Sequence, residues 1–292
     1  MAGDAATRGS ASADADRGVL YPSRLPEFHR LDPPARLAQL VRWFWIPEWS
    51  LAPGAVSRQE VLPFPACNLV VEPEGVSLVG PPTRRSERDL RGHGWAVGAL
   101  LRPAAVPALC AEPAALQDLS VPVAAEALHA RVAAAMSTRD DSAAPGGAHR
   151  TRAAAALAAW LTEHVPEPDA EGRLANRLAE LLFDPGITRV DQLAVPLHAS
   201  TRTLQRVATK HFGLSIGSMI RRRRLQEAAA RLRGADGAAG APQSPPGLAA
   251  LAHELGYTDH AHFSTEFKAV LGLTPSAYRA QFRGPEDSRL RP

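Results

Sequence analysis

The chain has 292 residues, enough for two hydrophobic cores and two domains. Its 22% charged and 45% hydrophobic residues are typical of a globular protein, and no apolar run approaches the roughly 20 residues of a membrane-spanning helix. The net charge of +3 is uneven: residues 187–283 hold 13 Lys and Arg against 6 Asp and Glu, so this segment carries +7 and the remainder −4. A basic block attached to an acidic remainder predicts a polyanionic partner for that block.

The N-terminal residues are acidic and small, and they lack the apolar stretch of a signal peptide or an anchor. They predict a disordered tail over residues 1–17, with a second tail over 285–292. Cys67 and Cys110 are the only cysteines, and their isolation argues against a zinc site and a disulfide framework. They fit a reducing cytoplasm, so we expect a cytoplasmic protein in which they are small apolar core residues. A reactive Cys67 thiol is the alternative.

Residues 18–123 predict a β-rich regulatory domain, because short β-prone runs alternate there with scattered prolines. Residues 68–71 and 76–79 flank the turn sequence Pro73-Glu74-Gly75 and predict a hairpin. Residues 95–101 predict a further strand. Residues 124–170 predict a helical linker region, with helices over 125–136 and 152–164 and a flexible polar break over 140–147.

One stripe on the second linker helix has two interpretations. Leu157, Trp160 and Leu161 share a face. Packing against a neighbouring helix is the simpler explanation, and a dimerisation face is the alternative.

Residues 171–284 predict an all-helical domain that opens with a helix over 171–183. A pattern occurs twice in it: a Leu-Ala pair, a further Leu, a polar N-cap and an amphipathic helix (Leu193-Ala194, Leu197, Ser200 and Leu204; Leu251-Ala252, Leu255, Asp259 and Phe263). Ser200 and Asp259 would cap the backbone N–H groups that open each second helix. Two helix-turn-helix units in tandem predict a DNA-binding protein.

A long helix over 216–233 would join the two units rigidly. Its inward residues are expected to be Ile220, Leu225, Ala228 and Leu232. The low-complexity stretch over 234–247 predicts a disordered loop.

The second helix of the first unit has the residues that major-groove recognition requires. Arg202, Gln205, Arg206 and Thr209 fall on its outward side, and Lys210 lies beside them. Arg can bridge guanine O6 and N7, and Gln can bridge adenine N6 and N7. No acidic residue within this stretch offsets the positive charge. We therefore predict base and phosphate contacts here.

The corresponding helix of the second unit presents shorter side chains. His260, Ala261, Ser264 and Thr265 point outward, with Lys268 one turn further on. We expect weak base reading and phosphate contacts through Lys268 and the hydroxyl groups.

Two further charged groups are assigned to simpler roles. His253, His260 and His262 lack metal-ligand spacing and an acidic partner, so no metal site is predicted. In the run of arginines from 221 to 224, Arg224 is expected to stabilise the fold, with Glu227 as its candidate partner.

The stretches "LAVPLHASTRTLQRVATKHFGLSIGSMIRRRRLQEAAARL" and "LAALAHELGYTDHAHFSTEFKAVLGLTPSAYR" closely resemble the DNA-binding domain of AraC-type bacterial transcription regulators. The resemblance covers about residues 174–282. It implies that the two recognition helices enter successive major grooves, with Arg202, Gln205 and Arg206 on bases. Departures from the family pattern are His198 in place of a turn glycine, Pro196 inside the first short helix, and Thr265 in place of a frequent Arg.

The N-terminal half resembles, on fewer motifs, a sensor-like domain of unknown function that precedes this DNA-binding domain in related regulators. The matching pieces include residues 41–45, Leu62-Pro63, and Val97-Gly98 with Arg102-Pro103. The resemblance implies a small β-barrel that binds an effector or dimerises. The candidate effector pocket is formed by Trp43, Trp45, Trp95 and Arg102, and a packed aromatic core is the alternative.

Together these features predict an α+β protein with a β-rich N-terminal domain, a helical linker and an all-α C-terminal domain. The predicted function is a sequence-specific, DNA-binding transcription regulator in which the first recognition helix dominates. The alternatives are an enzyme with an accessory DNA-binding domain and a non-specific architectural protein. Double-stranded DNA is the expected partner, without cofactor, metal or membrane. RNA polymerase, a small-molecule effector, and a monomeric or homodimeric state are left open.

Overall fold

The computed structural model describes residues 27–61, 64–137, 147–233 and 247–281, with the side chains of residues 60 and 61 left aside. Both predicted tails, the polar break apart from Gly147, and the loop over 234–246 lie outside these ranges. Within them the structure has the predicted α+β class, with strands between residues 27 and 122 and helices after them. No helix of these ranges is long and apolar enough to cross a membrane.

The N-terminal part is built from antiparallel strands. They are β1 (Glu27–Leu31), β2 (Val41–Ser50), β3 (Val56–Val61), β4 (Asn68–Glu72), β5 (Gly75–Val79), β6 (Ser86–Arg91), β7 (His93–Trp95), β8 (Val97–Leu101) and β9 (Ser120–Pro122). Seven form one sheet in the order β1-β2-β8-β4-β5-β9, with β7 also paired to β2, and β3 and β6 form a separate ribbon. The path is open among the described strands, whereas the family resemblance implied a closed barrel.

The predicted hairpin is confirmed, with Glu72 opposite Gly75 across the turn between β4 and β5. Gly75 has φ 151°, a conformation that suits glycine. The strand predicted over 95–101 is interrupted, because the Ala96 N–H leaves the ladder and donates to the Pro47 carbonyl at 3.2 Å. Trp95 therefore belongs to β7, and Val97 begins β8.

Helices follow the strands. They are α1 (Val106–Leu109), α2 (Glu126–Ser137), α3 (Ala148–His164), α4 (Ala170–Leu181), α5 (Thr201–Phe212), α6 (Ile216–Leu232), α7 (Leu248–Glu254), α8 (His260–Leu271) and α9 (Pro275–Ala280). Short 3-10 helices span Ala35–Leu37, Pro103–Ala105, Pro113–Leu116 and Val190–Leu193.

The predicted linker helices, α2 and α3, are part of the N-terminal core. Leu128 and Val132 of α2 pack in the same buried cluster as the sheet residues. Leu157, Trp160 and Leu161 of α3 belong to that cluster, with Leu157 and Leu161 fully buried in the single chain. The packing interpretation of this stripe is confirmed, and the dimerisation face is wrong because a second copy could not reach it.

Cys67 also lies in this core, at 1% exposure. Burial raises the pKa of its thiol to about 12, with a smaller effect from Cys110. At neutral pH the group is a thiol rather than a nucleophilic thiolate. The expectation of a small apolar core residue is confirmed, and the reactive-thiol alternative is wrong.

The C-terminal part has two cores joined by one helix. The first half of α6 contributes Ile216, Met219 and Ile220 to a cluster with α4 and α5. Its second half buries Leu225, Ala228 and Leu232 against α7, α8 and α9. A continuous helix shared by both cores connects the two units as the sequence pattern predicts.

The N-terminal and C-terminal parts are joined by buried polar contacts. Asn176 of α4 is 2% exposed. Its side-chain oxygen accepts from the Ala104 N–H at 3.1 Å, and its nitrogen donates to the Gln39 carbonyl at 2.8 Å. A buried amide with both ends satisfied fixes the relative position of the elements it joins.

Candidate nucleic-acid interface

The first recognition helix is α5. Ser200 accepts from the Thr203 N–H at 3.1 Å, which confirms the predicted N-cap, and Gly213 closes the helix in a left-handed conformation. Its apolar face is buried as expected, through Leu204, Val207, Ala208 and Phe212. This burial fixes the rotation of the helix and leaves the opposite face to solvent.

The predicted contact residues share that solvent face. All five are exposed: Arg202, Gln205, Arg206, Thr209 and Lys210. The Thr209 hydroxyl donates to the Gln205 carbonyl at 3.1 Å. Three cations and one amide thus project from one side of a capped helix, which is the chemistry needed to reach bases and phosphates.

This face is not without a counter-charge, because a carboxylate from another helix lies against it. Glu171, in the first turn of α4, lies 2.6 Å from the Arg206 guanidinium and 2.7 Å from the Lys210 ammonium. The Lys210 hydrogen bond, followed by that of Arg206, lowers the pKa of Glu171 to about 2. The expectation held within the stretch 200–213 and failed for the fold, since the acidic partner is some 35 residues away in sequence.

The turns that precede the two recognition helices have the same hydrogen-bond pattern. In the first, His198 N–H donates to the Val195 carbonyl and Ala199 N–H to that of Ala194, both at 3.1 Å. In the second, Gly256 N–H donates to His253 and Tyr257 N–H to Ala252, both at 2.9 Å.

The left-handed residue of that pattern is His198 in the first turn, with φ 49°, and Gly256 in the second, with φ 76°. His198 therefore adopts the conformation for which the family pattern uses glycine.

Pro196 changes the helix before the first turn. Only Val190–Leu193 is helical, as a single 3-10 turn, and residues 194–198 form consecutive turns. Because proline has no N–H to donate, the helix cannot continue through it. Pro196 thus follows the helix rather than lying inside it, which corrects the expectation.

The second recognition helix, α8, is capped by Asp259, which accepts from the His262 N–H at 2.7 Å. Phe263 and Phe267 are fully buried. Its outward residues are His260, Ala261, Thr265 and Lys268, which are exposed, and Ser264, which is half-buried. The Thr265 hydroxyl donates to the Ala261 carbonyl at 2.9 Å. This face is shorter and less charged than that of α5.

The arginine run of α6 divides between structural and peripheral positions. Arg224 donates to the Thr188 carbonyl at 2.9 Å and to the Gly256 carbonyl at 3.4 Å, so it stabilises the fold as expected. Its predicted partner is wrong: Glu227 pairs with Arg223 and Arg231, one turn before and after it. The i,i+4 spacing faces Glu227 toward those residues better than the i,i+3 spacing to Arg224.

The histidines do not assemble a metal site within the described ranges, where no cluster of three His, Cys, Asp or Glu side chains is present. His262 lies 3.9 Å from Glu266, and His260 packs edge-on against Phe263 at 6.4 Å.

Both recognition helices end against the N-terminal part. The Gln117 amide donates to the Gly213 carbonyl at 2.5 Å, and the Arg85 N–H donates to the Val270 carbonyl at 2.8 Å. Lys/Arg bias and helix periodicity gave no signal for these contacts, because Gln117 and Arg85 lie in irregular segments between strands. The last turns of α5 and α8 are therefore held by the domain that carries the predicted sensor.

The four residues of the candidate effector pocket are not brought together. Trp43 and Arg102 line one cavity. Trp45 instead stacks on Phe28, with its ring nitrogen donating to Asn68 at 2.9 Å. Trp95 packs against the N-terminal core. The packed-core alternative therefore describes Trp45 and Trp95.

Comparison with known proteins agrees with this division of the chain. Residues 193–281 match a helix-turn-helix domain model, and residues 29–122 match a domain of unknown function, DUF6597. The transcriptional activator AarP of Providencia stuartii is 32% identical over 41% of this chain and 75% of its own length. The chain belongs to the AraC-type family of transcription regulators. The N-terminal resemblance to a sensor-like domain of unknown function is likewise confirmed.

Other relatives are matched over smaller shares. The transcriptional activator RhaS of Pectobacterium atrosepticum is 33% identical over 38% of this chain, and the match spans about a third of that protein's length, 34%. Apo ToxT of Vibrio cholerae strain SCE256 overlaps 87% of this chain and 100% of its own, with 11% identity and a TM-score of 0.40. An overlap at that score carries no conclusion about ligands.

Proposed function

We propose that this AraC-type chain is a sequence-specific DNA-binding transcription regulator whose first recognition helix, α5, dominates base reading. The observation that carries the proposal is the solvent face of α5, where Arg202, Gln205 and Arg206 project together from a helix fixed by its cap and its buried side. Arg and Gln are the side chains that form bidentate contacts with guanine and adenine in a major groove.

The second helix contributes phosphate contacts in this proposal. His260, Ser264 and Thr265 are short, and Thr265 already donates to its own helix. Lys268, exposed near the end of α8, is a point charge suited to a phosphate. The expected result is one well-specified half-site beside a permissive one.

The proposal extends to the regulatory half and to the cell. RhaS and AarP are named transcriptional activators, and we extend activation to this chain. Residues 29–122 would sense a small-molecule effector in the cytoplasm. Contact with RNA polymerase, as a monomer or as a homodimer, completes the scheme.

Selection of binding sites from a random duplex pool tests the function. The full chain should enrich one motif and bind it at least about 1,000-fold more tightly than random DNA at physiological salt, as specific regulators do. Enrichment without a motif would favour the architectural alternative, in which only backbone contacts matter. A reporter gene behind the selected motif then separates activation from repression.

A further inference from the structure

A cavity of about 730 Å³ lies between the two halves of the molecule. One wall comes from the ends of β2 and β8 and the segment after β3, the other from α4, α5 and α6. This volume is within the range of pockets that hold small organic ligands.

Apolar side chains from both halves line the cavity. Trp43 and Phe64 come from the N-terminal half, and Phe183, Phe212 and Met219 come from the C-terminal half. Phe64 and Phe183 stack across the boundary, with ring centroids 5.8 Å apart. A ligand in this space would gain most of its binding free energy by burying apolar surface against both halves.

The charges that line the cavity are mostly positive. Arg42, Arg102 and Arg223 face it, against the single carboxylate of Glu180. The Arg42 guanidinium lies 4.8 Å from the Trp43 ring centroid and 4.5 Å from that of Phe183, so aromatic faces hold it in place. The lining therefore combines apolar walls with a net positive charge, which favours an anion.

Arg102 has hydrogen-bonding capacity that the described residues leave unused. Its Nη1 donates to Glu180 at 3.0 Å, while its buried Nε has no hydrogen-bond partner within the described part of the chain. An arginine presents its donors as a planar fork that matches a carboxylate, and a buried donor without an acceptor is costly. Glu180 is largely exposed, at 64% of its side chain, and so can move away from the fork.

We propose that this cavity binds an amphipathic organic anion, with an apolar body between Trp43, Phe183 and Met219 and one carboxylate on Arg102. The site differs from the pocket expected from sequence: it keeps Trp43 and Arg102 and replaces Trp45 and Trp95 with residues of the DNA-binding half. Such a ligand is the effector of the proposed regulator, so its regulatory role rests on the proposed function, whereas its binding does not.

The location couples occupancy to the DNA-binding half. Phe212 is the last residue of α5, and Phe183 follows α4, whose Glu171 contacts Arg206. A ligand that binds one arrangement of the two halves better than another shifts the population toward it. Occupancy would therefore alter the position of α5 relative to the N-terminal half.

Calorimetric titration of the full chain, without DNA, tests the binding. The probes are 4-phenylbutyrate and octanoate, each compared with its neutral amide. We expect dissociation constants on the order of 0.1–1 mM for the acids, ordinary for ligands of this size, and about tenfold weaker binding of the amides. Undetectable binding of both acids, or equal binding of acids and amides, would overturn the proposal.

Two substitutions at one ion pair should act in opposite directions. Arg102→Gln should weaken binding of the acids about tenfold, and Glu180→Gln should tighten it several-fold because a competing carboxylate is removed. Arg36→Gln, at an exposed arginine outside the cavity, is the matched control. Thermal melts confirm that each variant folds, and the exposed Glu180 variant provides the test if Arg102→Gln does not. Equal affinities of Glu180→Gln and the control would place the carboxylate elsewhere.

Fluorescence anisotropy of the selected DNA motif, with and without 4-phenylbutyrate, separates the two proposals. Ligand binding without any DNA binding would leave the cavity assignment intact and overturn the proposed function. DNA binding without ligand binding would do the reverse.

Discussion

Glu171 of α4 lies 2.6 Å from the Arg206 guanidinium of the first recognition helix. Its other oxygen lies 2.7 Å from Lys210. A carboxylate thus occupies the positions on two predicted contact residues that DNA phosphates or base acceptors would take. DNA binding through these side chains requires Glu171 to be displaced or to keep one of them in a fixed orientation.

We expect Glu171→Gln to increase DNA affinity up to about fivefold, because exposed ion pairs contribute about 0.2–1 kcal/mol each and the competing charge is removed. The effect should be similar on the selected motif and on random DNA, and the salt dependence should become steeper. Anisotropy titrations at several salt concentrations measure both.

Glu74→Gln, at an exposed carboxylate of the β4–β5 hairpin, controls for the change in net charge. A loss of affinity specific to the motif in Glu171→Gln would show the opposite role for Glu171, namely that it orients Arg206 toward a base.

Arg206→Ala should cost roughly 1–3 kcal/mol on the selected motif and relax the preference at one base pair, because a bidentate contact is lost. Lys268→Ala should instead weaken binding to all sequences alike and lower the salt slope by about one. Binding to the motif, to its single-base variants and to random DNA measures the difference. Equal losses for Arg206→Ala on every duplex would reduce it to a phosphate contact.

The pattern of caps, apolar faces and helix lengths in α5, α6 and α8 could be predicted from sequence because local rules determine it. Ser200, Asp259 and the buried face of α6 follow from propensity and periodicity. The partner of Arg206 could not be predicted, since Glu171 belongs to another helix and meets it only through tertiary packing. The cavity was predicted in part, because Trp43 and Arg102 belong to the N-terminal motifs while Phe183 and Met219 appear in sequence only as core residues of the other half.

His198→Gly should stabilise the first unit by about 0.5–1 kcal/mol. A side chain at a left-handed residue costs about 1–2 kcal/mol, and the greater freedom of glycine in the unfolded chain offsets part of the gain. Urea unfolding measures the change.

Gly256→Ala is the matched opposite substitution. Its added methyl group would meet only the Arg224 side chain at ordinary distances of 3.7–4.0 Å, so the expected loss of about 1 kcal/mol is conformational. A destabilised His198→Gly variant would mean that the imidazole makes a contact whose loss outweighs the strain.

Gly213→Ala should separate the N-terminal half from the first recognition helix. A Cβ there would lie 2.4 Å from the Pro113 carbonyl carbon, so backbone must move. Gly272→Ala is the control, because it ends α8 with a similar φ of 76° but meets only the Arg85 side chain, at 3.5 Å or more.

Both variants should lose about 1 kcal/mol through φ, and Gly213→Ala should lose roughly 1–3 kcal/mol more from overpacking. Unfolding curves give the difference, and limited proteolysis should cut Gly213→Ala faster between the two halves. Equal stability losses would show that the contact with Pro113 yields freely.

The continuous α6 helix predicts a fixed distance between the two DNA contacts. It is shared by both cores of the C-terminal half, so the recognition helices should meet half-sites about 10 bp, or roughly 34 Å, apart on one face of the duplex. Inserting five base pairs between the half-sites would turn the second to the opposite face. Because α8 presents short side chains, we expect a partial loss of affinity, with the first half-site still protected in a footprint. Complete loss would show that His260, Ser264 and Thr265 contribute more than their size indicates. Unchanged affinity would show that α5 alone reads DNA, and the two-groove arrangement would be wrong.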